Sequence, residues 1–419
     1  MTDRSADPAV VAAVEDAHRR NWALVLAATV RVTGDLDLAQ ECVQDAYAKA
    51  LVVWGEREIP KNPAAWLTTV ARHRALDLHR RDGTVRDKLP LLVEDVLAPD
   101  PAGVLDESSI PDDRLRLIFV CCHPALAIQA QAALTLRLVC GLTTAEVARA
   151  FLVQEATMAA RITRAKKKIS QARIPYRVPS TEELPARIDA VLTVLHLLFT
   201  TGHTAPAGPT LVRADLFGRA LDLARMLRAL LPTDPGVAAL LALILFSHAR
   251  RETRCDADGR LILLADQDRG RWDAATIAEG EALTREALHS RPPSRFALLA
   301  AIAGVHAQAA RWADTDWQEL VALYDLLLRR WPSPVVALNR AVAVGFRSGP
   351  AAGLAALDPL TVEPQLAGYP YLAAARADFL RRLGRTEEAR LAYQEALLLT
   401  ENEVEREFLA GRLTQLAAG

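Results

Sequence analysis

Apolar residues recur with a helical period on both sides of one short break between Thr143 and Ile169. Thr143 and Glu146 stand three residues apart in the pattern of a capping box, which marks the start of a helix. The apolar positions are Val147, Ala148 and Phe151 in the first helix, and Met158, Ile162, Ala165 and Ile169 in the second. The pattern predicts a helix-turn-helix.

The polar side of the second helix is basic, with one acidic residue, Glu155, at its start. Its cationic residues are Arg161, Arg164, Lys166, Lys167, Lys168 and Arg173. Such a face suits the major groove of DNA and its phosphates, although a charge run is often only a solvated face. Leu152 stands where such motifs often have Gly, and a bulky residue with positive φ would be strained, so we expect a different kind of turn.

The N-terminal part of the chain has the pattern of two further amphipathic helices. The first runs from about Val10 to Val32 and ends at Thr33-Gly34-Asp35, and the second continues to Trp54. The predicted inward positions are Val14, Ala17, Leu24 and Val25 in the first, and Leu38, Cys42, Ala46, Leu51 and Trp54 in the second. The second helix leaves a polar stripe outside, composed of Glu41, Gln44, Asp45 and Lys49. This stripe is either plain solvent surface or a docking face for another protein.

A third helix, AAWLTTVARHRALDLHRR, changes character along its length. It starts apolar, and its end is rich in basic residues that favour contact with phosphate. The apolar residues are Trp66, Leu67 and Val70, and the basic ones are Arg72, His73, Arg74, His79, Arg80 and Arg81.

The composition favours an all-α fold of two or three domains, because 51% of the 419 residues are hydrophobic and few are aromatic. The net charge of −1 means that attraction to nucleic acid must come from local patches. Five cysteines without a C-x-x-C pattern predict no metal site and no cofactor. Without a signal peptide or an apolar run of membrane-spanning length, the chain is expected in the cytoplasm and away from membranes.

Two blocks in this order resemble one known family. AQECVQDAYAKAL followed by NPAAWLTTVARHRALDLHRR is similar to regions two-one to two-four of bacterial sigma factors of the extracytoplasmic-function class. The later block, GLTTAEVARAFLVQEATMAARITRAKKKI, is similar to the region-four helix-turn-helix of the same class. Together they cover roughly Val10–Arg173. The resemblance implies RNA polymerase core enzyme and promoter DNA as partners.

The resemblance also implies roles for individual residues. Glu41, Gln44, Asp45 and Lys49 would bind core polymerase. Trp66, Arg72, His73, Arg74, Asp77, Arg80 and Arg81 would hold the downstream promoter box. Gln154, Glu155, Thr157, Ala160, Arg161, Arg164, Lys167 and Lys168 would read the upstream box. Glu41 replaces the usual Asp, and His73 replaces an Asn that lies against the single-stranded downstream box in the family.

The predicted domains follow from these blocks and from proline-rich breaks. Residues 10–82 form the region-two domain, residues 83–110 a linker, residues 111–173 the region-four domain, and residues 174–185 a hinge. In the region-four domain, Pro111-Asp112-Asp113 is expected to cap a helix. Its predicted core is Leu115, Leu117, Ile118, Cys122, Leu134, Leu136 and Leu138.

Residues 186–419 form a helical extension whose last part has a period near 34 residues, the spacing of tetratricopeptide repeats. The clearest copy has small residues at close helix crossings, a turn at Gly384 and a bulky Tyr393, and repeats are expected over about 301–403. The small residues are Ala377, Ala389 and Ala396. The extension also resembles the subgroup of these sigma factors with a tetratricopeptide-like C-terminal domain.

The segment DQDRGRWD within the extension allows two interpretations. Its charged residues around Trp272 form either a ligand or partner site or an internal ion-pair network that shapes a turn. These residues are Asp266, Asp268, Arg269, Arg271 and Asp273.

Three functions are compatible with these patterns. The first is a sigma factor whose extension contacts the sigma-like domains in cis or docks a partner. The second is a helix-turn-helix regulator or scaffold with a tetratricopeptide solenoid that acts without polymerase. The third, an enzyme in the extension, has only DQDRGRWD in its favour and lacks a nucleophile or metal set, so no enzymatic activity is expected.

Overall fold

The computed structural model describes residues 7–81, 110–151, 153–180 and 182–418. The predicted linker therefore lies almost entirely outside the described residues, as does Leu152 of the predicted turn. The described part of the chain is helical apart from turns and two strands of two residues each, β1 (Ala207–Gly208) and β2 (Glu401–Asn402). The prediction of an all-α fold is confirmed.

The chain divides into two compact units, Met1–Val194 and Leu195–Gly419. The first unit begins with three helices that pack on one another, α1 (Pro8–Thr33), α2 (Leu36–Glu56) and α3 (Pro63–Arg81). Gly34 ends α1 with a φ of 65°, and the Asp35 carboxylate then accepts hydrogen bonds from the Asp37 and Leu38 amides at 2.8 Å. A left-handed glycine followed by an N-cap aspartate fixes the sharp reversal between these helices.

Most predicted inward positions of α1 and α2 are buried, but three are not. Leu24 and Leu38 are half-buried, and the Leu51 side chain is 38% exposed. Ala50 and Trp54, four residues apart, occupy the buried face of α2, and Leu51 lies one residue, about 100° of helix rotation, away from Ala50. The prediction that Leu51 points inward is wrong.

The described remainder of the first unit consists of further helices, a π-helical turn and the start of a helix that continues into the second unit. These are α4 (Ile110–Cys121), α5 (Ile128–Leu134), a π-helical turn (Thr135–Val139), α6 (Thr144–Ala150), α7 (Glu155–Gln171) and the first part of α8 (Leu184–His203). All seven predicted core residues from Leu115 to Leu138 are buried. Asp113 was expected in the cap of α4 but lies inside the helix, where its carboxylate is 2.6 Å from the Arg116 guanidinium.

The boundary between the compact units falls inside α8 and not in the predicted hinge. Tyr176, within that hinge, has its hydroxyl 2.9 Å from the Ala27 carbonyl oxygen and 3.0 Å from that of Asp113. These contacts fix the segment to α1 and α4. By length and composition α8 is apolar enough to cross a membrane, but several of its apolar side chains are buried, as in the core helix of a globular protein.

The second unit is a succession of helices in which consecutive members pack together. They are α9 (Ala214–Leu230), α10 (Pro235–Ala249), α11 (Ala274–Leu288), α12 (Arg295–Gln308), α13 (Trp317–Arg330), α14 (Pro334–Ser348), α15 (Pro350–Leu357), α16 (Pro370–Arg382), α17 (Thr386–Leu399) and α18 (Glu403–Ala418). Gly384 has a φ of 73° between α16 and α17, and Ala377, Ala389, Ala396 and Tyr393 are buried. These placements agree with helix hairpins, and the tetratricopeptide assignment itself stays a prediction.

The beginning and end of this second unit are joined. Strand β1 pairs with β2 in parallel, and the buried Asn402 side chain donates to the carbonyl oxygens of Ala205 and Thr210 at 3.1 and 2.9 Å. In an open solenoid each repeat contacts only its neighbours. Here the strand pairing also ties α18, the last helix, to the segment that follows α8.

Candidate nucleic-acid and polymerase interfaces

The helix-turn-helix begins with the capping box that the sequence predicts. The Thr143 hydroxyl accepts from the Glu146 amide at 3.2 Å, and the Glu146 carboxylate accepts from the Thr143 amide at 2.6 Å. Helix α7 follows and buries its predicted apolar face, with Met158, Ile162, Ala165 and Ile169 inside. The local sequence therefore determines both helices and the face that α7 leaves outside.

Seven of the eight residues predicted to read the upstream box are exposed on α7 and its N-cap. They are Gln154, Glu155, Thr157, Ala160, Arg164, Lys167 and Lys168. The eighth, Arg161, is half-buried, with its guanidinium carbon 5.8 Å from the centroid of the Phe151 ring. The structure thus brings the predicted set to one helix, with Arg161 leaning toward α6.

Lys166 differs from the lysines that follow it. Its side chain is only 11% exposed, and its ammonium group lies 2.6 Å from the Asp37 carboxylate and 2.5 Å from the Gln40 amide oxygen, both on α2. The contact ties α7 to the first turns of α2. The sequence gives little sign of it, because Lys166 belongs to a run of three lysines.

The predicted polymerase stripe is exposed on α2: Glu41, Gln44, Asp45 and Lys49 all face solvent. The Asp45 carboxylate is 2.8 Å from Nε of Arg74 on α3. Asp37, the partner of Lys166, precedes Glu41 by one helical turn and lies on the same side of α2. The stripe is therefore flanked by α3 and by α7.

The residues predicted for the downstream box divide between two faces of α3. Trp66 packs edge to face on Trp54 with ring centroids 5.6 Å apart, and His73 and Asp77 are exposed one turn from each other. Arg74 is held by Asp45. The side chains of Arg80 and Arg81 lie outside the described part of the chain.

Arg72 does not share the face of His73 and Asp77. It is half-buried, and burial lowers the pKa of its guanidinium, with Arg31 lowering it further and Asp113 opposing the effect. Six residues, about 600° of helix rotation, separate Arg72 from Trp66, which places their side chains about 120° apart around α3. Arg72 therefore lies away from the side of α3 that carries Trp66, His73 and Asp77.

The two predicted DNA-binding domains meet in a buried contact. The Trp22 indole on α1 donates to the Leu138 carbonyl oxygen at 2.9 Å and packs against His18 and Tyr47. Gly141 has a φ of 71°, and a Cβ there would lie 2.8 Å from Cγ of Trp22. Only glycine fits this close approach without displacing the indole. Trp22 and Leu138 are 116 residues apart, so the helical period of the sequence cannot reveal this contact.

No group of three or more His, Cys, Asp or Glu side chains within the described ranges is arranged to hold a metal ion. Cys42, Cys121 and Cys122 are buried. Burial raises the pKa of Cys42 to about 11 and that of Cys122 to about 12, so neither thiol is ionised near neutral pH.

The DQDRGRWD segment forms a capped turn. The Asp268 carboxylate accepts from the Gly270 amide at 3.0 Å, and Asp273 accepts from the Thr276 amide at the start of α11. The Arg269 guanidinium carbon lies 4.6 Å from the Trp272 ring centroid. Within the described residues these contacts shape the turn through caps and stacking.

Comparisons with known proteins agree with this layout. Residues 17–84 match sigma-70 region 2, residues 116–169 match sigma-70 region 4, and residues 187–288 match a family of unknown function, DUF6596. An uncharacterized protein of Rhizobium meliloti (strain 1021) is 43% identical over 396 residues, which cover 94% of this chain and 93% of that protein. No solved structure matches the chain.

Both sigma-70 regions are present, and each match coincides with one of the two helical domains described above. The chain therefore belongs to the sigma-70 family, as a sigma factor of the extracytoplasmic-function type that acts in promoter recognition and transcription initiation and carries a C-terminal extension of unknown function.

Proposed function

We propose that the exposed face of α7 reads the upstream promoter box. The observation that carries this proposal is the combination of a fully buried apolar face with an exposed face that presents Arg164, Lys167 and Lys168. A helix of this kind places its N-terminal residues against base edges and its cations against phosphates. Gln154, Glu155 and Thr157 are then the residues nearest the bases.

The proposed downstream contact is made by α3, where Trp66, His73 and Asp77 lie along one side. Exposed rings beside basic groups bind unpaired bases by stacking and backbone attraction. Binding of unpaired bases lowers the free energy needed to melt the promoter, and no covalent step is required.

The α2 stripe is proposed to bind core polymerase. The protein is proposed to act in the cytoplasm without enzymatic activity of its own.

Arg164→Ala should weaken binding to all DNA sequences and reduce the slope of log affinity against log salt by about one unit, because one phosphate contact is lost. Arg161→Ala should also blur the sequence preference of the upstream box. Both effects are measured as footprints and salt titrations on a cognate promoter. Arg19→Ala, which removes an exposed arginine from α1, is the matched control. Unchanged footprints and slopes in both α7 variants would favour a regulator or scaffold that does not read this box.

The extension is proposed to contact the sigma domains in cis and to set their relative placement, or else to dock a partner protein. Support comes from the first turn of α8, where Arg187 donates to the carbonyl oxygen of Phe119 on α4. Tyr176 anchors the preceding segment between α1 and α4. The chain that leads into the extension is thereby fixed to the sigma domains.

A further inference from the structure

Five basic side chains of the second unit converge beyond the C-terminal end of α10. They are His203, Arg250, Arg254, Arg269 and His306. Nη2 of Arg250 lies 3.4 Å from Nε2 of His203, and Nη1 of Arg254 lies 3.3 Å from Nδ1 of the same ring. Nη1 of Arg269 donates to the carbonyl oxygens of His306 and Ala309, both at 2.6 Å. The cluster is therefore built from four separate stretches of the chain.

Both histidines are neutral at physiological pH. Burial, followed by the nearby arginines, lowers the pKa of His203 well below its usual value and that of His306 to about 4. A neutral imidazole accepts a hydrogen bond through only one ring nitrogen. Both nitrogens of His203 face guanidinium groups, which can only donate. At one of the two nitrogens the ring N–H therefore faces another donor, and no hydrogen bond can form there. Arg254 has other acceptors in the His203 carbonyl and the Thr204 hydroxyl, whereas Arg250 depends on the ring.

The nearby carboxylates are already engaged. Asp314, beside Arg269, forms a two-bond pair with Arg311 at 2.8 and 2.9 Å, and Glu405, beside Arg254, accepts from the Tyr371 hydroxyl at 2.8 Å. The electrostatic neighbours of Arg250 are Arg254 and Arg269, and burial with their repulsion lowers the pKa of Arg250 to about 10. Buried cations without counter-charge destabilise a fold by several kcal/mol.

Two buried nitrogen atoms of the cluster lack a hydrogen-bond partner within the part of the chain that the structure describes. Nη2 of Arg269 and Nδ1 of His306 are both buried and have no hydrogen-bond partner among the described residues. Arg269 is held rigidly, because its other terminal nitrogen binds two carbonyls and its plane lies over Trp272. A fixed guanidinium with a free edge is the side chain best suited to bind an oxyanion.

We propose that Arg250, Arg254 and Arg269, with His306 as an additional donor, bind a doubly charged phosphate group. Asp314 is neutralised by Arg311, so the three guanidinium charges are opposed by Glu405 alone, which leaves two positive charges for the ligand to balance. The site lies in the extension and is separate from promoter recognition. It makes the extension a receptor for phosphate, either free or carried by a small molecule.

The test is thermal unfolding of the full chain at about pH 7.5, where a phosphate monoester is mostly a dianion, at constant ionic strength set with sodium chloride. Inorganic phosphate and glycerol phosphate are titrated separately. Binding should raise the unfolding temperature by at least about 2 °C and should saturate. The compound that saturates at the lower concentration identifies free or esterified phosphate as the ligand.

Arg250→Gln should abolish the phosphate-dependent rise, whereas Arg330→Gln, which removes one exposed arginine from α13, should retain it. If Arg250→Gln does not fold, Arg250→Lys keeps the charge but loses the planar fork and should bind phosphate at least about tenfold more weakly. The proposal is overturned if neither phosphate compound stabilises the wild type beyond chloride. It is equally overturned if the Arg250 variants respond as the wild type does.

Discussion

Replacing both Glu41 and Asp45 by Lys should abolish binding of this sigma factor to core RNA polymerase. The two carboxylates lie one helical turn apart on the exposed stripe of α2, beside Gln44 and Lys49. The double substitution changes the charge of the stripe by four units. Like charges brought together at an interface cost several kcal/mol, so we expect at least a hundredfold loss of affinity, about 2.7 kcal/mol. Co-elution with core enzyme and a binding titration measure the effect.

The fold should survive this change. Asp45 pairs with Arg74 at 2.8 Å, but the two side chains are 48% and 35% exposed, and a pair so exposed contributes little to stability because solvent screens it. The unfolding temperature should therefore fall only slightly. Glu15→Lys, which reverses one exposed carboxylate on α1, is the control that should bind core enzyme normally. A double variant that binds core polymerase as tightly as the wild type would show that the stripe is not the docking face.

Removing the extension after Pro179 should change transcription from a cognate promoter at least tenfold. A rise means that the extension inhibits the sigma domains, and a loss means that it is required. The cut also removes Arg187 from the Phe119 carbonyl and the first buried residues of α8, so the unfolding temperature of the sigma unit should fall.

A second truncation, after Val194, retains the part of α8 that belongs to the first unit. It therefore distinguishes structural support of the sigma unit by α8 from regulation of the sigma domains by the second unit. If only the shorter protein has altered activity, the effect comes from lost packing in the sigma unit. If both change in the same direction, residues of the second unit act on the sigma domains. Activity and promoter affinity equal to full length in both truncations would leave the extension as an independent docking platform.

The parts of the fold that the sequence predicts well are those determined by residues close together in the chain. The capping box at Thr143 and Glu146 and the buried face of α7 depend on hydrogen bonds and contacts within one or two helical turns. The same local rules predict the exposure of Glu41 and Lys49 on α2. A helical period is sufficient information for these features.

The features that escape prediction depend on contacts between distant segments. The Lys166 side chain is largely buried because its ammonium group binds Asp37 and Gln40, although the neighbouring Lys167 and Lys168 remain exposed. Arg72 is half-buried near Arg31 of α1 and Asp113 of α4, whereas the adjacent His73 is exposed. A run of basic residues looks the same in the sequence whether a given side chain is buried or exposed. Only the tertiary structure distinguishes the two cases.

The contacts between the two sigma domains lie next to the proposed polymerase-binding stripe. Trp22 binds the Leu138 carbonyl, and Lys166 joins α7 to the helix that carries the proposed polymerase stripe. A docked polymerase would compete for the side of α2 that Asp37 shares with Glu41. We therefore expect that core binding weakens the Lys166 contact.

The most direct measurement is transcription in vitro with purified core RNA polymerase, the full chain and a library of promoter fragments. The account predicts transcripts that start at a restricted set of sequences containing two separated boxes, and no such transcripts with core enzyme alone or with the Glu41→Lys, Asp45→Lys double variant. Absence of sequence-specific transcripts with the wild-type protein, together with failure to co-elute with core enzyme, would contradict it.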